Sequence, residues 1–531
     1  MAGCHTDTNS PVTPGIGRIA QDMHPMGNWS EYGYSIDSAS SMYVHHLDPN
    51  QNGDLAYTDT VGGEPVVPIA TAFVKANQDT QGPGSVIRFA AWQTNLTPPY
   101  YPNYQVSLAM DLLNENYCRH PSVEVVYVPA NGGSEGYLGF HIVWSQWRGP
   151  SYPDEGNWEL FYKFIYFPVT SGGIQWGSAV GVYDPIEPID FPSSNELDEI
   201  QPDLSVDAEN GSLLVVFTQT DEPYNSIYNI IVVQGVIHAT TPAFWNPSPY
   251  FIVSGPQESE KGFPKIDVGR INTDPANPLL MELRAVAVWS EWDPGLENFQ
   301  VWYTEADPTN QPLYVPGMQI TFSVNGDTYE SWDFLPSVDI PAPSSASNVY
   351  ANMQAVICYE SSDVVRIGQN LTFNEQRVNC RITPALGQEF LIMGDDNHEY
   401  AVLSEARVPE VACYQMNDLF AEQQWFGVAM HASCGDIITG EIFIYTGAWT
   451  YNVDEYGGVH MALDPISYWY EDDPDEYGYW SYKHPATGPT ISLRYTTPLW
   501  EPLDQRFGIG WIDGDTSPSA VEVAQGTIAP S

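Results

Sequence analysis

A short motif that recurs along the chain constrains the fold more than any other feature of the sequence. Its clearest copy is VWSEWDPGLENFQVWYTEADP, residues 288 to 308, where apolar and polar residues alternate on both sides of Asp293-Pro294-Gly295. Such alternation is typical of two half-buried strands, and the three central residues favour a tight turn. The stretch therefore predicts a β-hairpin.

Seven units of this kind follow one another, each with a proline ahead of a large anchor residue. The anchors are Trp92, Trp144, Phe217, Trp289, Tyr359, His431 and Trp511. The prolines are Pro68, Pro121, Pro202, Pro264, Pro336, Pro409 and Pro489. In six units the proline leads the anchor by about 22 to 25 positions, and from Trp144 onward the anchors are roughly 70 to 80 residues apart. We expect each proline at the first residue of an innermost strand, where its missing N–H removes no ladder bond.

A third strand-like run follows each anchor, for example residues 299 to 306 after Trp289. Units of three or four antiparallel strands cannot bury both faces alone, so radial stacking is the expected solution. The predicted fold class is all-β, with seven four-stranded antiparallel blades over residues 62–531 and an N-terminal segment over residues 1–61. With its repeated prolines and anchor residues, the chain resembles the seven-bladed β-propellers across residues 62–531. The resemblance implies the architecture of the chain but not its activity. The Ser-x-Asp-x-Gly-x-Thr-Trp box of the sialidases is missing, so the resemblance extends to no subfamily.

The last unit ends after three strands, which predicts an exposed edge on the last blade. Residues 40 to 47, SSMYVHHL, have the alternation of a strand that would cover it. We expect this closing strand to come from the N-terminal segment, either of the same subunit or of a neighbouring one.

Charge excludes some classes of partner. The chain carries 67 Asp and Glu against 17 Lys and Arg, a net charge of -50. Phosphate backbones and anionic membrane surfaces attract basic proteins, so neither is an expected partner. Salt reduces self-repulsion of this size, which favours a saline (halophilic) or alkaline habitat; an acidic secreted protein from an ordinary habitat is the alternative. The sequence contains no apolar run of transmembrane length.

Cysteine positions suggest an oxidising compartment. The six cysteines are Cys4, Cys118, Cys358, Cys380, Cys413 and Cys434. Cys358 and Cys380 fall on neighbouring strands of the fifth unit and predict a disulfide. Cys413 and Cys434 form a second candidate pair in the sixth unit, several residues out of register, while the remaining two either bond to each other or stay thiols. Glycosylation-type sequences also favour an extracellular or cell-surface location; they begin at Asn28, Asn95, Asn210 and Asn370.

The stretch DPNQNGDLAYTD resembles the calcium loops of EF-hand and dockerin type. Its oxygen-bearing positions are Asp48, Asn50, Asn52, Asp54 and Asp59. Gly53 stands where such loops turn sharply, so the resemblance implies a calcium site. An Asn-Gly hairpin turn is the alternative, because no helix is evident on either side.

The N-terminus, MAGCHTDT, supports three readings. Ala2-Gly3-Cys4 resembles the end of a bacterial lipobox, which implies a lipid anchor at Cys4. Cys4-His5 resembles the tail of a c-type heme attachment motif, with His5 as the proximal ligand and His24 or Met26 as the second. An ordinary tail whose cysteine forms a disulfide is the third.

Candidate catalytic residues are carboxylates on the innermost strands, which would line the central channel. Those singled out are Asp203, Asp207, Asp267 and Asp339. Paired carboxylates suit glycoside hydrolysis. His141, His238 and His431 lie in strand-like runs, where a lone histidine is more often structural than catalytic.

An aromatic loop, SYWYEDDPDEYGYW at residues 467 to 480, predicts a surface that binds sugars or another protein. Its aromatic residues are Tyr468, Trp469, Tyr470, Tyr477, Tyr479 and Trp480.

Taken together, these features favour a secreted or cell-surface propeller that is not an enzyme. It would act as a binding or structural module for other protein subunits or extracellular glycans, as part of an extracellular assembly or a homopolymer. One alternative is a carbohydrate-active enzyme, a glycoside hydrolase or lyase, with carboxylates in the channel. Another is an extracellular heme-bearing filament subunit attached through Cys4 and His5.

Overall fold

In a computed structural model the chain folds almost entirely into antiparallel β-strands. The structure describes the 29 strands given below, the turns and short segments 253–254, 259–260, 294–297, 307–309 and 320–329, and single residues beside the strands. These residues contain no apolar helix of membrane-spanning length.

Within the described residues the strands form seven antiparallel sheets, each built from consecutive stretches of chain. The first sheet contains β1 (Ser35–Met42), β2 (Val67–Ala76), β3 (Ser85–Thr94) and β4 (Tyr104–Ser107). The second contains β5 (Cys118–Val128), β6 (Gly136–Ser151), β7 (Glu155–Thr170), β8 (Gly173–Ile174) and β9 (Glu187–Pro188). The third contains β10 (Asp198–Asp207), β11 (Ser212–Thr220), β12 (Tyr228–His238), β13 (Thr241–Trp245) and β14 (Phe251–Ile252).

The remaining sheets repeat the same order. The fourth contains β15 (Lys261–Asn272), β16 (Met281–Asp293), β17 (Asn298–Ala306) and β18 (Met318–Gln319). The fifth contains β19 (Glu330–Asp339), β20 (Val356–Ile367), β21 (Asn370–Ile382) and β22 (Glu389–Met393). The sixth contains β23 (Leu403–Gln415), β24 (Gln423–Cys434), β25 (Glu441–Asn452) and β26 (Glu455–Pro465). The last contains β27 (Ala486–Thr496), β28 (Asp504–Asp513) and β29 (Ala520–Ile528).

The hairpin predicted at residues 288 to 308 is formed by β16 and β17, in the middle of the fourth sheet. Its turn is closed by Asp293, whose Oδ1 accepts the backbone N–H of Gly295 at 2.7 Å while its carbonyl accepts the N–H of Glu297 at 2.8 Å. Four anchors, Trp144, Phe217, Trp289 and Tyr359, lie on second strands and are fully buried. The predicted all-β antiparallel fold is confirmed.

Neighbouring sheets pack face to face through both faces of their strands. β11 is buried along its whole length: Val215 joins a cluster with Val143 of the second sheet, whereas Val216 joins one with Trp289 of the fourth. A strand covered on both sides reads as a continuous apolar run, and LLVVF is such a run. Trp289 also requires Gly317 opposite it, because a Cβ there would lie 2.3 Å from the indole Cη2.

First strands of successive sheets lie side by side. β5 lies against β10, β10 against β15, β15 against β19, and β19 against β23. β23 lies against β27, and β27 and β28 lie against β1, so the last sheet packs on the first. The first strands of the second to seventh sheets each have one hydrogen-bonded neighbour in their own sheet and therefore leave one edge on the inner side.

The repeated prolines lie within these strands rather than at their first residues, which corrects the prediction. The pairing shifts register across Pro121, Pro202, Pro264, Pro336, Pro409 and Pro489, so each marks a β-bulge. The residue before the proline has a positive φ of 50 to 54° at His120, Gln201, Phe263, Leu335 and Val408. A bulge tolerates proline because the extra residue has no ladder partner.

The first sheet departs from this pattern. Pro68 pairs regularly with Gln93 and lies in β2, the second strand, because β1 occupies the inner position. β1 overlaps residues 40 to 42 of the predicted closing strand, and residues 43 to 47 lie outside the described residues. It pairs with β2 and lies against the last sheet, whereas the prediction placed it along the outer edge beyond β29.

Candidate active site

Side chains on the inner edges of the first strands cap the backbone of the next sheet. The residue after each bulge proline forms one level of these contacts. Ser122 Oγ accepts the N–H of Leu204 at 3.4 Å, Asp203 Oδ2 accepts that of Ile266 at 2.9 Å, and Ser337 Oγ accepts that of Val411 at 3.1 Å. These inner N–H groups have no strand partner, so a neighbouring oxygen must satisfy them.

A second level lies two residues further along the same strands. Ser205 Oγ accepts the N–H of Val268 at 3.1 Å, and Asp267 Oδ2 accepts that of Ile340 at 2.6 Å. Asp339 Oδ2 accepts the N–H of Cys413 in the same way. The two levels place six oxygen-bearing side chains on the inner edges of the second to fifth sheets, where they cap the backbone of the third to sixth.

The first level contains an ion pair between two of these strands. Lys265 Nζ lies 2.8 Å from Glu410 Oε1, and the pair reaches past the fifth sheet to join the fourth and sixth. Ser337 of the fifth sheet donates its hydroxyl to Glu410 Oε2 at 2.8 Å. The side chains of Lys265 and Glu410 remain 33% and 22% exposed, so solvent reaches the pair.

Asp203 lies near this ion pair, and its surroundings favour the protonated form of its carboxyl group. Burial raises the pKa of its carboxyl, and the negative charge of Glu410 raises it further, against the opposing effects of Lys265 and of the hydrogen bonds from Ile266 and Ser122. Ser122 Oγ donates to Asp203 Oδ1 at 2.9 Å. One carboxyl is therefore biased toward its protonated form beside a second that is paired with an ammonium group.

Asp267 and Asp339 form the second-level counterpart. Burial raises the pKa of Asp267, and a hydrogen bond joins its carboxyl to that of Asp339. Two carboxyl groups can share a hydrogen bond only when one of them holds a proton. Ser205 Oγ also donates to Asp267 Oδ1 at 2.8 Å.

Three of the four predicted carboxylates, Asp203, Asp267 and Asp339, thus lie in one inner network. Asp207 is the last residue of β10, and its side chain is outside the described residues. Sequence reasoning missed Lys265 and Glu410. Both directly follow a repeated proline, so alignment of the seven prolines could have identified them.

Of the three histidines, His141 is described in full. It is buried, its Nδ1 lies 2.8 Å from the Tyr162 hydroxyl, and its ring stacks on Phe164. Burial lowers the pKa of His141 to about 3, so the ring is neutral. His238 and His431 lie in β12 and β24, with side chains outside the described residues.

The cysteines give one confirmed pair and one correction. Cys358 and Cys380 are opposite each other in β20 and β21 and form a disulfide. The predicted bond between Cys413 and Cys434 is wrong, because Cys434 pairs with Leu403 at the far end of the sheet and Cys413 is a buried thiol. Cys118 is also a buried thiol.

The remaining site predictions fall outside the described residues and stay predictions. They are the calcium loop at residues 48 to 59, the N-terminal lipid or heme site with Cys4, His5 and His24, and the aromatic loop at residues 467 to 480. The described residues contain no group of three or more His, Cys, Asp or Glu side chains arranged to hold a metal ion.

No protein-family model and no curated protein sequence matches the chain. Among solved structures it is similar to a leech intramolecular trans-sialidase, with 9% identity, 96% of this chain and 70% of that one covered, and a TM-score of 0.34. A β-fructofuranosidase from Schwanniomyces occidentalis has 8% identity over 96% of both chains and a TM-score of 0.30. A xylan β-1,4-xylosidase from Bacillus halodurans has 9% identity, 95% and 89% coverage, and a TM-score of 0.27.

The activities named for these structures contradict two expectations drawn from the sequence. The first is that the chain is a non-catalytic binding or structural module, and the second is that it is not an enzyme. Both expectations are withdrawn.

Proposed function

We propose that the protein is a carbohydrate-active enzyme that cleaves glycosidic bonds with carboxyl groups on the inner strands. The observation that carries the proposal is the arrangement of Asp203, Lys265 and Glu410. Glycoside cleavage needs one carboxylic acid that retains its proton and one carboxylate that is ionised. Burial raises the pKa of Asp203, and the Lys265 ammonium lies 2.8 Å from the Glu410 carboxylate, so the site offers one group for each role.

Asp203 is the general acid in this scheme. Its proton passes to the glycosidic oxygen as the bond to the anomeric carbon breaks, so the leaving sugar departs as a neutral alcohol. Glu410 is the ionised partner and either takes a proton from the attacking water or attacks the anomeric carbon itself. The separation of the two carboxyl groups in the substrate complex decides between these outcomes and hence between inversion and retention.

Lys265 and Ser337 are positioning residues for Glu410. The ammonium group stabilises the ionised carboxylate, and the Ser337 hydroxyl holds its second oxygen. Bridging the fourth, fifth and sixth sheets in this way fixes the carboxylate relative to Asp203 on the third.

We infer in addition that the seven sheets are the blades of one closed ring around a central channel. Contact of the last sheet with the first supports this arrangement, as does the sequence repeat. We also infer export to an oxidising compartment, which the Cys358–Cys380 disulfide supports. Under this proposal the partners are extracellular glycans.

The test is release of reducing ends from a panel of polysaccharides by the full chain. Asp203→Asn and Glu410→Gln should each lower kcat by about 10²- to 10⁴-fold, because each removes one half of the acid–base pair. Glu330→Gln is the matched control, since Glu330 is also a carboxylate paired with a cation, Arg366, but lies at the first residue of β19, outside the two inner levels.

Two results would refute the proposal. One is that no member of the panel is cleaved by wild-type protein that unfolds cooperatively. The other is that cleavage persists at the wild-type rate in both inner variants. Circular dichroism of every variant establishes that the fold is retained before rates are compared.

A further inference from the structure

Phe263 stands apart from the other residues on the first strands. It is 46% exposed, whereas its neighbours Lys261, Gly262 and Pro264 are buried. The described side chains at the equivalent bulge positions, His120, Gln201, Leu335 and Val408, are all partly buried. An exposed phenylalanine contributes little to the core, so packing does not account for it.

The position of Phe263 in the fold decides what its ring can reach. It precedes Lys265 by two residues on β15, and Lys265 is bonded to Glu410. The ring of Phe263 is therefore open to solvent within two residues of the proposed catalytic level.

The backbone under the ring is held rigidly. Phe263 has a φ of 54°, a left-handed conformation that costs roughly 1–3 kcal/mol for a residue with a side chain. The Gln201 amide oxygen accepts the Phe263 N–H at 2.8 Å, and Pro264 restricts the following residue. A backbone that is ordered before a ligand arrives loses little entropy on binding.

Charge narrows the class of ligand. The inner levels carry the carboxyl groups of Asp203, Asp267, Asp339 and Glu410, against the single ammonium of Lys265, which is already paired. With a net charge of -50 on the whole chain, uronic and sialic acids would be repelled. Neutral sugars meet no such barrier, and their C–H faces pack well on an aromatic ring.

We propose that Phe263 is a sugar-binding platform beside the proposed catalytic level, where it stacks on one ring of a neutral oligosaccharide and positions the next linkage against Asp203 and Glu410. The proposal rests on the proposed glycoside-cleaving function for its setting. It adds a named positioning residue and a substrate class, neutral rather than acidic glycans.

The experiment measures binding separately from cleavage. Glu410→Gln protein, in which turnover is suppressed, is titrated calorimetrically with cellohexaose, xylohexaose, mannohexaose and arabinohexaose, and with hexagalacturonate as the anionic probe. Adding Phe263→Ala should raise the Kd for the neutral hexasaccharide that binds by about tenfold, as expected for loss of one aromatic contact. Phe263→Tyr should restore binding because it keeps the ring.

Phe322→Ala is the matched control. Phe322 is also an exposed phenylalanine of the fourth sheet, at 65%, but it follows the outer strand β18. Its removal should leave the Kd unchanged. Thermal unfolding of each variant confirms that neither truncation disturbs the fold.

The outcomes separate this proposal from the general one. Binding that depends on Phe263 in a protein without any cleavage activity supports the platform and refutes the enzyme. Cleavage with the same Kd and KM in Phe263→Ala refutes the platform and leaves the enzyme. Binding of none of the neutral probes, or tighter binding of hexagalacturonate, also overturns the platform.

Discussion

Replacement of Asp203 by asparagine should make the protein more stable while lowering the kcat of the proposed reaction. The Asp203 pKa lies above its ordinary value of 3.8, with burial the largest cause. The folded state therefore binds the carboxyl proton more tightly than the unfolded chain does. The stabilisation that this carboxyl group contributes is fully present when the pH is below its pKa in the unfolded chain. It is lost as the pH rises through its pKa in the folded protein.

The size of the effect follows from the shift. Each unit by which the folded pKa exceeds the unfolded one makes ionisation cost about 1.4 kcal/mol at neutral pH. Asparagine resembles the protonated carboxyl, since its oxygen still accepts the Ile266 N–H and its amide faces the Ser122 hydroxyl. The variant therefore avoids the free-energy cost of ionising a buried carboxyl group. The difference between its free energy of unfolding and that of wild type should grow as pH rises.

Urea unfolding at several pH values between 4 and 8 measures this difference. We expect the free energies of unfolding of wild type and Asp203→Asn to be closest at the acidic end and to separate toward neutral pH. If the variant were less stable at every pH with an unchanged slope, Asp203 would be an ionised structural cap, and its assignment as the general acid would be refuted.

Three further predictions concern buried groups. Lys261→Met should lower the free energy of unfolding, measured in urea, by roughly 3–5 kcal/mol. Lys261 is fully buried 3.6 Å from Glu291, so its loss leaves a buried charge without a partner. Adding Glu291→Gln should recover much of the lost free energy. Gly317→Ala should lower the free energy of unfolding by about 1–3 kcal/mol through its clash with Trp289; an unchanged thermal midpoint would contradict the close packing seen there. His141→Phe should make the free energy of unfolding less dependent on pH on the acidic side. Burial lowers the pKa of His141 to about 3, so the wild-type protein loses stability as pH falls below the ordinary histidine pKa of 6.5.

The ion pair between Lys265 and Glu410 shows why part of the site escaped sequence reasoning. Asp203, Asp267 and Asp339 were identified because they lie on predicted innermost strands in an alternating pattern. Glu410 and Lys265 lie 145 residues apart, and only the curvature of the sheets brings β15 and β23 near enough for their side chains to meet. Phe263 was missed for a related reason, because exposure on a strand depends on what the neighbouring sheets cover.

The repeat of prolines and anchors was sufficient to determine the antiparallel class, the order of the sheets and the buried anchors such as Trp289. It was sufficient because alternation and turn chemistry are local properties of the chain. Tertiary structure alone decided the bulges at the prolines and the inner position of β1. These depend on strand register and on contacts between sheets, which arise from packing across long separations in sequence and leave no local pattern.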